Sequence, residues 1–188
     1  PDETVMTTLA PLWRRLTHLK LVHCLDVTLM GIALALSQTH AVGAGEPPVR
    51  TKIERLELHD CDDVLVRDLP VAYPHLQSSL RELVMVSCGF ASFDDEGGAA
   101  PAREAALPPP AEPTTTWMGH LHTFQVIGCA CVAPFALEAA AFGEVLLANA
   151  GLEKVTLGMM EAVGRSVLDV LGFLPSLKEL DLGSTRVA

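Results

Sequence analysis

Six stretches of this chain repeat one nine-residue spacing: apolar, two variable, apolar, one variable, apolar, two variable, then a residue that is most often cysteine. The copies are Leu16, Leu19, Leu21 and Cys24; Ile53, Leu56, Leu58 and Cys61; Leu80, Leu83, Met85 and Cys88; and Leu121, Phe124, Val126 and Cys129. Two more keep the apolar frame and change its last residue: Leu152, Val155, Leu157 and Met160, then Leu177, Leu180, Leu182 and Thr185. Internal repetition outranks other sequence signals, because so short a unit buries its apolar face only by stacking on copies of itself.

The spacing is that of a short strand and its exit. Side chains alternate across a strand, so the fourth and sixth positions of each copy point inward together and the third, fifth and seventh point outward. The first packs where the chain enters the strand. The ninth lies where the chain turns in, and a small, weakly polar thiol suits that buried place. Cys24, Cys61, Cys88 and Cys129 are therefore expected to form the rungs of an internal ladder, with thiol pKa values raised by burial and little reactivity. Five cysteines, an odd number sparsely placed, do not read as a disulfide framework. No metal site is expected, since His120, His122 and the Cys129-Ala130-Cys131 run lack paired C-x-x-C ligand spacing.

The segments between strands read mainly as returning helices. Residues 26–39, 134–149 and 161–174 carry apolar residues three to four apart. Residues 64–79 contain Pro70 and Pro74 and predict only a short helix or turn. The repeats begin at 16, 53, 80, 121, 152 and 177, an irregular spacing that implies insertions at 41–50 and 91–116. The second is rich in proline and acid and reads as a flexible surface insertion, with a contact arm for a partner as the alternative. Residues 1–14 read as the outer helix of a repeat whose strand lies upstream, and the last copy has no return helix. The expected organisation is one array of about six repeats over 1–188, part of a longer chain.

The frame L-x-x-L-x-L-x-x-[N/C] resembles the leucine-rich repeat, and the cysteine variant is similar to the ribonuclease-inhibitor-like and cysteine-containing types. The resemblance spans essentially the whole chain. It implies an α/β leucine-rich repeat solenoid, a horseshoe with short parallel strands on the concave face and helices on the convex face. It also implies a protein-binding scaffold or a structural subunit of a larger assembly. The alternative it implies is the substrate-recognition arm of a ubiquitin-ligase-type complex, in which such repeats follow an F-box; these residues contain no F-box-like segment.

Composition narrows the partner. The net charge is -10, with no basic stripe to hold phosphates, so no direct nucleic-acid partner is expected. The most apolar stretch, residues 27–36, is too short to span a bilayer. An intracellular, cytoplasmic location is expected from the cysteine usage. No nucleophile elbow, P-loop or dinucleotide fingerprint is present, so the expectation is a protein that is not an enzyme and needs no cofactor. The "HDCDD" run reads as a strand end, with His59 outward, Cys61 inward, and Asp62 and Asp63 capping the next turn.

The outward residues are then the candidate binding face. They run His18, Lys20 and Val22; Arg55, Glu57 and His59; Glu82, Val84 and Val86; Thr123, Gln125 and Ile127; Lys154, Thr156 and Gly158; Glu179, Asp181 and Gly183. The ends are polar, and the middle, with Val84, Val86 and Ile127, is apolar. An apolar centre inside a polar rim suits a protein partner. The residues expected to contact it are Val22, Arg55, Glu57, His59, Glu82, Val84, Val86, Gln125 and Ile127.

Overall fold

A computed structural model of the chain describes residues 15–37, 52–76, 79–89, 119–129, 143, 145–159 and 165–185. Six strands form one sheet in chain order: β1 (His18–Val22), β2 (Arg55–His59), β3 (Glu82–Val86), β4 (Thr123–Ile127), β5 (Lys154–Gly158) and β6 (Glu179–Asp181). Every neighbouring pair is parallel. The described helices lie between strands: α1 (Leu29–Ser37), α2 (Leu69–Leu76), reached through a 3-10 turn at Val66–Asp68, and α3 (Arg165–Gly172). Residues 143 and 145–147 are helical as well. The architecture is α/β. The expected insertions at 41–50 and 91–116, residues 1–14, and Cys131 and Met160 lie outside the described residues.

The register reproduces the sequence frame position for position. Leu19, Leu56, Leu83, Phe124, Val155 and Leu180 form one row across the sheet, and Leu21, Leu58, Met85, Val126 and Leu157 form the next inward row. Shifting one strand by a single residue would turn its apolar side chains to the other face, so burial fixes this register. In β2 to β5 all eight residues of these two rows are fully buried. Each contributes roughly 1.5–3 kcal/mol of burial relative to exposure. Unequal repeat lengths are absorbed between the strands, not within them.

One feature of every copy was not anticipated. The eighth position adopts positive φ in all six: His23 (55°), Asp60 (51°), Ser87 (50°), Gly128 (59°), Met159 (53°) and Ser184 (58°). Five of these are not glycine, and each bears a steric cost of about 1–2 kcal/mol. The left-handed residue ends the strand and turns the ninth position inward. It also aims its own N–H at the next strand. His23, Asp60, Ser87, Gly128 and Met159 each donate to the seventh-position carbonyl of the following copy, at 2.8–3.0 Å. At the other end of the strand the second-position carbonyls of Thr17, Glu54, Arg81, His122 and Glu153 each accept two N–H groups from the next copy.

The ninth position explains the cysteines. Cys61, Cys88 and Cys129 are buried and Cys24 is half-buried; all four are free thiols. Cys61 Sγ lies 3.9 Å from the carbonyl of Leu21, and Cys88 Sγ 3.4 Å from that of Leu58, each the sixth position of the preceding copy. Thr185 Oγ1 donates to the equivalent carbonyl of Leu157. Cys61, Cys88 and Thr185 thus each donate to a carbonyl one copy back, while the Cys24 and Cys129 thiols donate to carbonyls of their own copies, those of Val22 and Ile127. Burial pushes the Cys61 thiol up to about 11. Cys88 departs from the expected rise: the neighbouring Cys129 side chain, whose sulfur accepts the Cys88 N–H at 3.4 Å, draws its thiol below the ordinary value despite burial.

The helices follow their apolar spacing. Thr28 Oγ1 caps α1 by accepting the Gly31 N–H at 3.0 Å, and Leu29, Ile32, Ala33 and Leu36 face the core. Pro74 lies inside α2 and removes one intrahelical bond. The helix survives because Leu69, Ala72, Tyr73 and Leu76 are buried. The expected cap at Asp62 and Asp63 is not formed: the 3-10 turn has Leu65 at its N-cap and no side-chain cap bond. Backbone closes both turns here, with Val64 N–H donating to the Cys61 carbonyl and Asp68 N–H to the Leu65 carbonyl.

A buried polar knot holds the approach to β4. Tyr73 OH donates to Asn149 Oδ1 at 2.6 Å, the Leu121 N–H donates to the same oxygen at 3.0 Å, and Asn149 Nδ2 donates to the Val145 carbonyl at 2.7 Å. Tyr73 and Asn149 are fully buried. Burial pushes the Tyr73 phenol up to about 12. Gly119 belongs to this knot, because a Cβ there would overlap the Asn149 side chain and stand 2.6 Å from Tyr73 OH. The knot joins α2, the approach to β4 and the end of the helical segment before β5.

Candidate interaction face of the sheet

The outward rows follow from the same register. Row three is His18, Arg55, Glu82, Thr123, Lys154 and Glu179; row five is Lys20, Glu57, Val84, Gln125, Thr156 and Asp181; row seven is Val22, His59, Val86, Ile127 and Gly158. The face predicted from spacing alone is therefore assembled on one side of the sheet.

Its electrostatic centre is Glu57, only 7% exposed. Four side chains converge on its carboxylate: Arg55 Nε at 2.6 Å, His18 Nε2 and His59 Nε2 each at 3.2 Å, and Lys20 Nζ at 3.3 Å. Burial alone would raise the Glu57 pKa, but hydrogen bonds from Arg55, His59 and Lys20 outweigh it and hold the group at about 2. Arg55 extends the network to the next strand through Glu82 Oε2 at 2.7 Å. Glu57 is thus a buried counter-ion that fixes the heads of Lys20, His18 and Arg55, which remain about half exposed. The sequence named Arg55, Glu57 and His59 but not the hub. The signal was present: residues two apart on a strand share a face, and Glu57 has Arg55 and His59 at that distance.

The apolar centre is more enclosed than expected. Val22 is exposed, and Val86 and Ile127 are half-buried, but Val84 is only 7% exposed. Val84 stands in its row between the longer side chains of Glu57 and Gln125, which flank a short branched residue on both sides. The accessible apolar surface is therefore the neighbouring pair Val86 and Ile127 in row seven. Ile127 leans over Gly158, whose Cα carries no side chain to push it away; a Cβ there would meet Ile127 at 3.6 Å. Gln125, two residues before Ile127 on the same face, is half-buried beside this pair.

The far end of the face is acidic and sparse. Lys154 pairs with Glu179 across β5 and β6, and Asp181 Oδ1 accepts the Gly183 N–H at 2.8 Å. The face thus runs from half-exposed cationic heads at β1 and β2, through an apolar step, to exposed acids at β6.

Among the described residues no group of three or more His, Cys, Asp or Glu is arranged to hold a metal ion. Among the same residues no helix is long and apolar enough to cross a membrane. No family model matches the chain, and neither does any curated protein or solved structure.

Proposed function

We propose that this chain is a protein-binding scaffold or a structural subunit of a larger assembly, and that the sheet is the inner wall of a leucine-rich repeat solenoid with helices behind it. The partner lies across the outward rows. The observation that carries this reading is the face itself: a half-buried apolar pair, Val86 and Ile127, beside cationic heads held in place by the buried Glu57 carboxylate. Pre-positioned polar side chains around an apolar step lose little freedom when a partner settles on them. Regular strands present these groups on a rigid base. Binding, rather than catalysis, is the work such a surface does.

The test is affinity capture from the source cell extract with three forms of the chain, each first shown to melt like the native protein. The face variant carries Val86→Asp and Ile127→Asp. Val84 is left alone because an aspartate there would be buried and would compromise folding. The control variant carries Leu34→Asp and Val71→Asp, two exposed residues on α1 and α2. Partners lost with the face variant and kept with the control support the reading. The reverse pattern places binding on the helices and contradicts it.

A further inference from the structure

The carboxylate at the centre of the face is filled, and the cations around it are not. An ionised carboxylate offers about four acceptor sites on its two oxygens. In Glu57, Oε1 takes Arg55 Nε and His18 Nε2, and Oε2 takes His59 Nε2 and Lys20 Nζ. A lysine ammonium has three N–H donors and an arginine guanidinium five. Among the described residues, Glu57 and Glu82 engage one donor of Lys20 and two of Arg55. Both heads are about half exposed, so donors are left over for a partner. Their positions are already set by Glu57 and Glu82, which lowers the entropy lost when an anionic group settles on them.

The two imidazoles make this surplus depend on pH. Each has Nε2 at 3.2 Å from Glu57. A neutral ring that donates through Nε2 carries a lone pair at Nδ1, and a protonated ring carries an N–H there. Imidazole side chains change charge between about pH 5 and 8. The charged groups around the rings are Lys20 from β1, Arg55 and Glu57 from β2, and Glu82 from β3, while His23 and Asp60 face one another at the strand exits, 3.9 Å apart. With both rings neutral, Lys20 and Arg55 balance Glu57 and Glu82. With both protonated, the cluster is left with two uncompensated positive charges. The cluster also adjoins the apolar step, because His59, Val86 and Ile127 are register partners in row seven. Two strand spacings, about 10 Å, separate His59 from Ile127. We infer that the partner presents an acidic segment of a protein, with a carboxylate on Lys20, Arg55 and the imidazoles and an apolar side chain against Val86 and Ile127, and that acidification tightens its binding. This rests on the binding face proposed above. Binding that prefers protonated rings is lost as pH rises through the imidazole range, and below about pH 4.5 the partner's own carboxylates protonate. A nucleic acid offers anions to the same donors but meets a chain of net charge -10.

The probe is the peptide Glu-Thr-Glu-Thr-Leu-Thr-Leu, which in extended form carries its acids and leucines on one face. The control peptide has glutamine in place of both glutamates. Binding is read from amide shifts of the isotope-labelled chain at about pH 5.5 and pH 8, two values that bracket the imidazole range. The native chain is compared with His18→Gln plus His59→Gln, with Lys20→Gln, and with Val86→Thr plus Ile127→Thr, all shown to be folded. Glutamine still donates to Glu57 but takes up no proton, and threonine removes apolar surface without adding charge. The acidic peptide should bind the native chain about tenfold tighter at the lower pH, a factor within the usual range of coupling between sites. The double glutamine variant should lose that pH response, Lys20→Gln should weaken the acidic peptide at both pH values, and the control peptide should bind weakly at both. No binding of the acidic peptide, equal binding of the two peptides, or a pH response that survives the histidine changes overturns the inference. So does displacement of the acidic peptide by a short single-stranded oligonucleotide that binds more tightly. Equal binding of both peptides that the threonine variant abolishes would leave the face standing while the inference falls. Acid-selective, pH-dependent binding that the threonine variant leaves untouched would instead support the carboxylate contact and contradict the apolar part of the face.

Discussion

Glu57 and Gly119 show how single side chains fix this molecule in opposite ways. Glu57 holds its charge in a buried place because four donors surround it. Its folded pKa, about 2, lies below the ordinary value of 4.5, so its contribution is present above pH 4.5 and is lost as pH falls towards 2. Glu57→Gln should cost about 1–3 kcal/mol at pH 7, the range for losing a buried charge-assisted partner. Urea melts of native and variant chains should converge as pH falls from 4.5 towards 2; a constant gap would contradict the network. Gly119 acts through space, not charge. Gly119→Ala should cost at least about 1–3 kcal/mol, as overpacking does, because a methyl collides with Asn149. Tyr73→Phe removes only a hydrogen bond and should cost about 0.5–1.5 kcal/mol. Thermal melts of the two variants rank them, and a larger loss for Tyr73→Phe would contradict the assigned roles. Neither residue stood out in the sequence as a structural hinge point, since the partners of Gly119 come from α2 and from residue 149, far away along the chain.

At the scale of the element the decisive unit is the strand with its left-handed exit. The inward and outward alternation of all six strands was legible, because period-two burial leaves its mark directly on the apolar spacing. The exit was not. Glycine would have announced positive φ, but only Gly128 occupies the eighth position as glycine; His23, Asp60, Ser87, Met159 and Ser184 adopt it under compulsion from the turn and the next strand. Ser87→Gly should therefore stabilise the chain by up to about 1 kcal/mol, while Gly128→Ala should destabilise it by about 1–2 kcal/mol. Gly128 has space for a methyl, with only Ser87 Oγ at 3.7 Å, so its loss would report conformation and not crowding. Denaturant midpoints check both signs, and a stabilised Gly128→Ala would refute the account of the turn. The ladder makes a separate claim. Thiol labelling without denaturant should be fastest at Cys24, which is half-buried at the first rung, and slow at Cys61, Cys88 and Cys129. Rapid labelling of Cys61, buried and raised to about 11, would contradict it. Sequence spacing located the ladder but not the coupling of Cys88 with Cys129, which depends on a contact between neighbouring rungs.

Over the whole molecule, one register does two jobs. It stacks Leu58, Met85, Val126 and Leu157 into a continuous core, and it lines up the outward rows on the other face. The sequence predicted both because the same nine-residue frame sets both. It overestimated the exposure of Val84, since enclosure depends on neighbouring side-chain length, which a one-strand pattern does not contain. The proposed function rests on this division of labour. The most direct measurement is an aspartate scan of β3, taken one residue at a time at Leu83, Met85 and Val86, with each variant scored for cooperative melting and for retention of captured partners. Leu83→Asp and Met85→Asp should abolish the cooperative melt, because each places a charge in a fully buried site. Val86→Asp should melt like the native chain and lose the partner. Stable, partner-binding Leu83→Asp or Met85→Asp chains, or a Val86→Asp chain that folds and keeps every partner, would contradict the account.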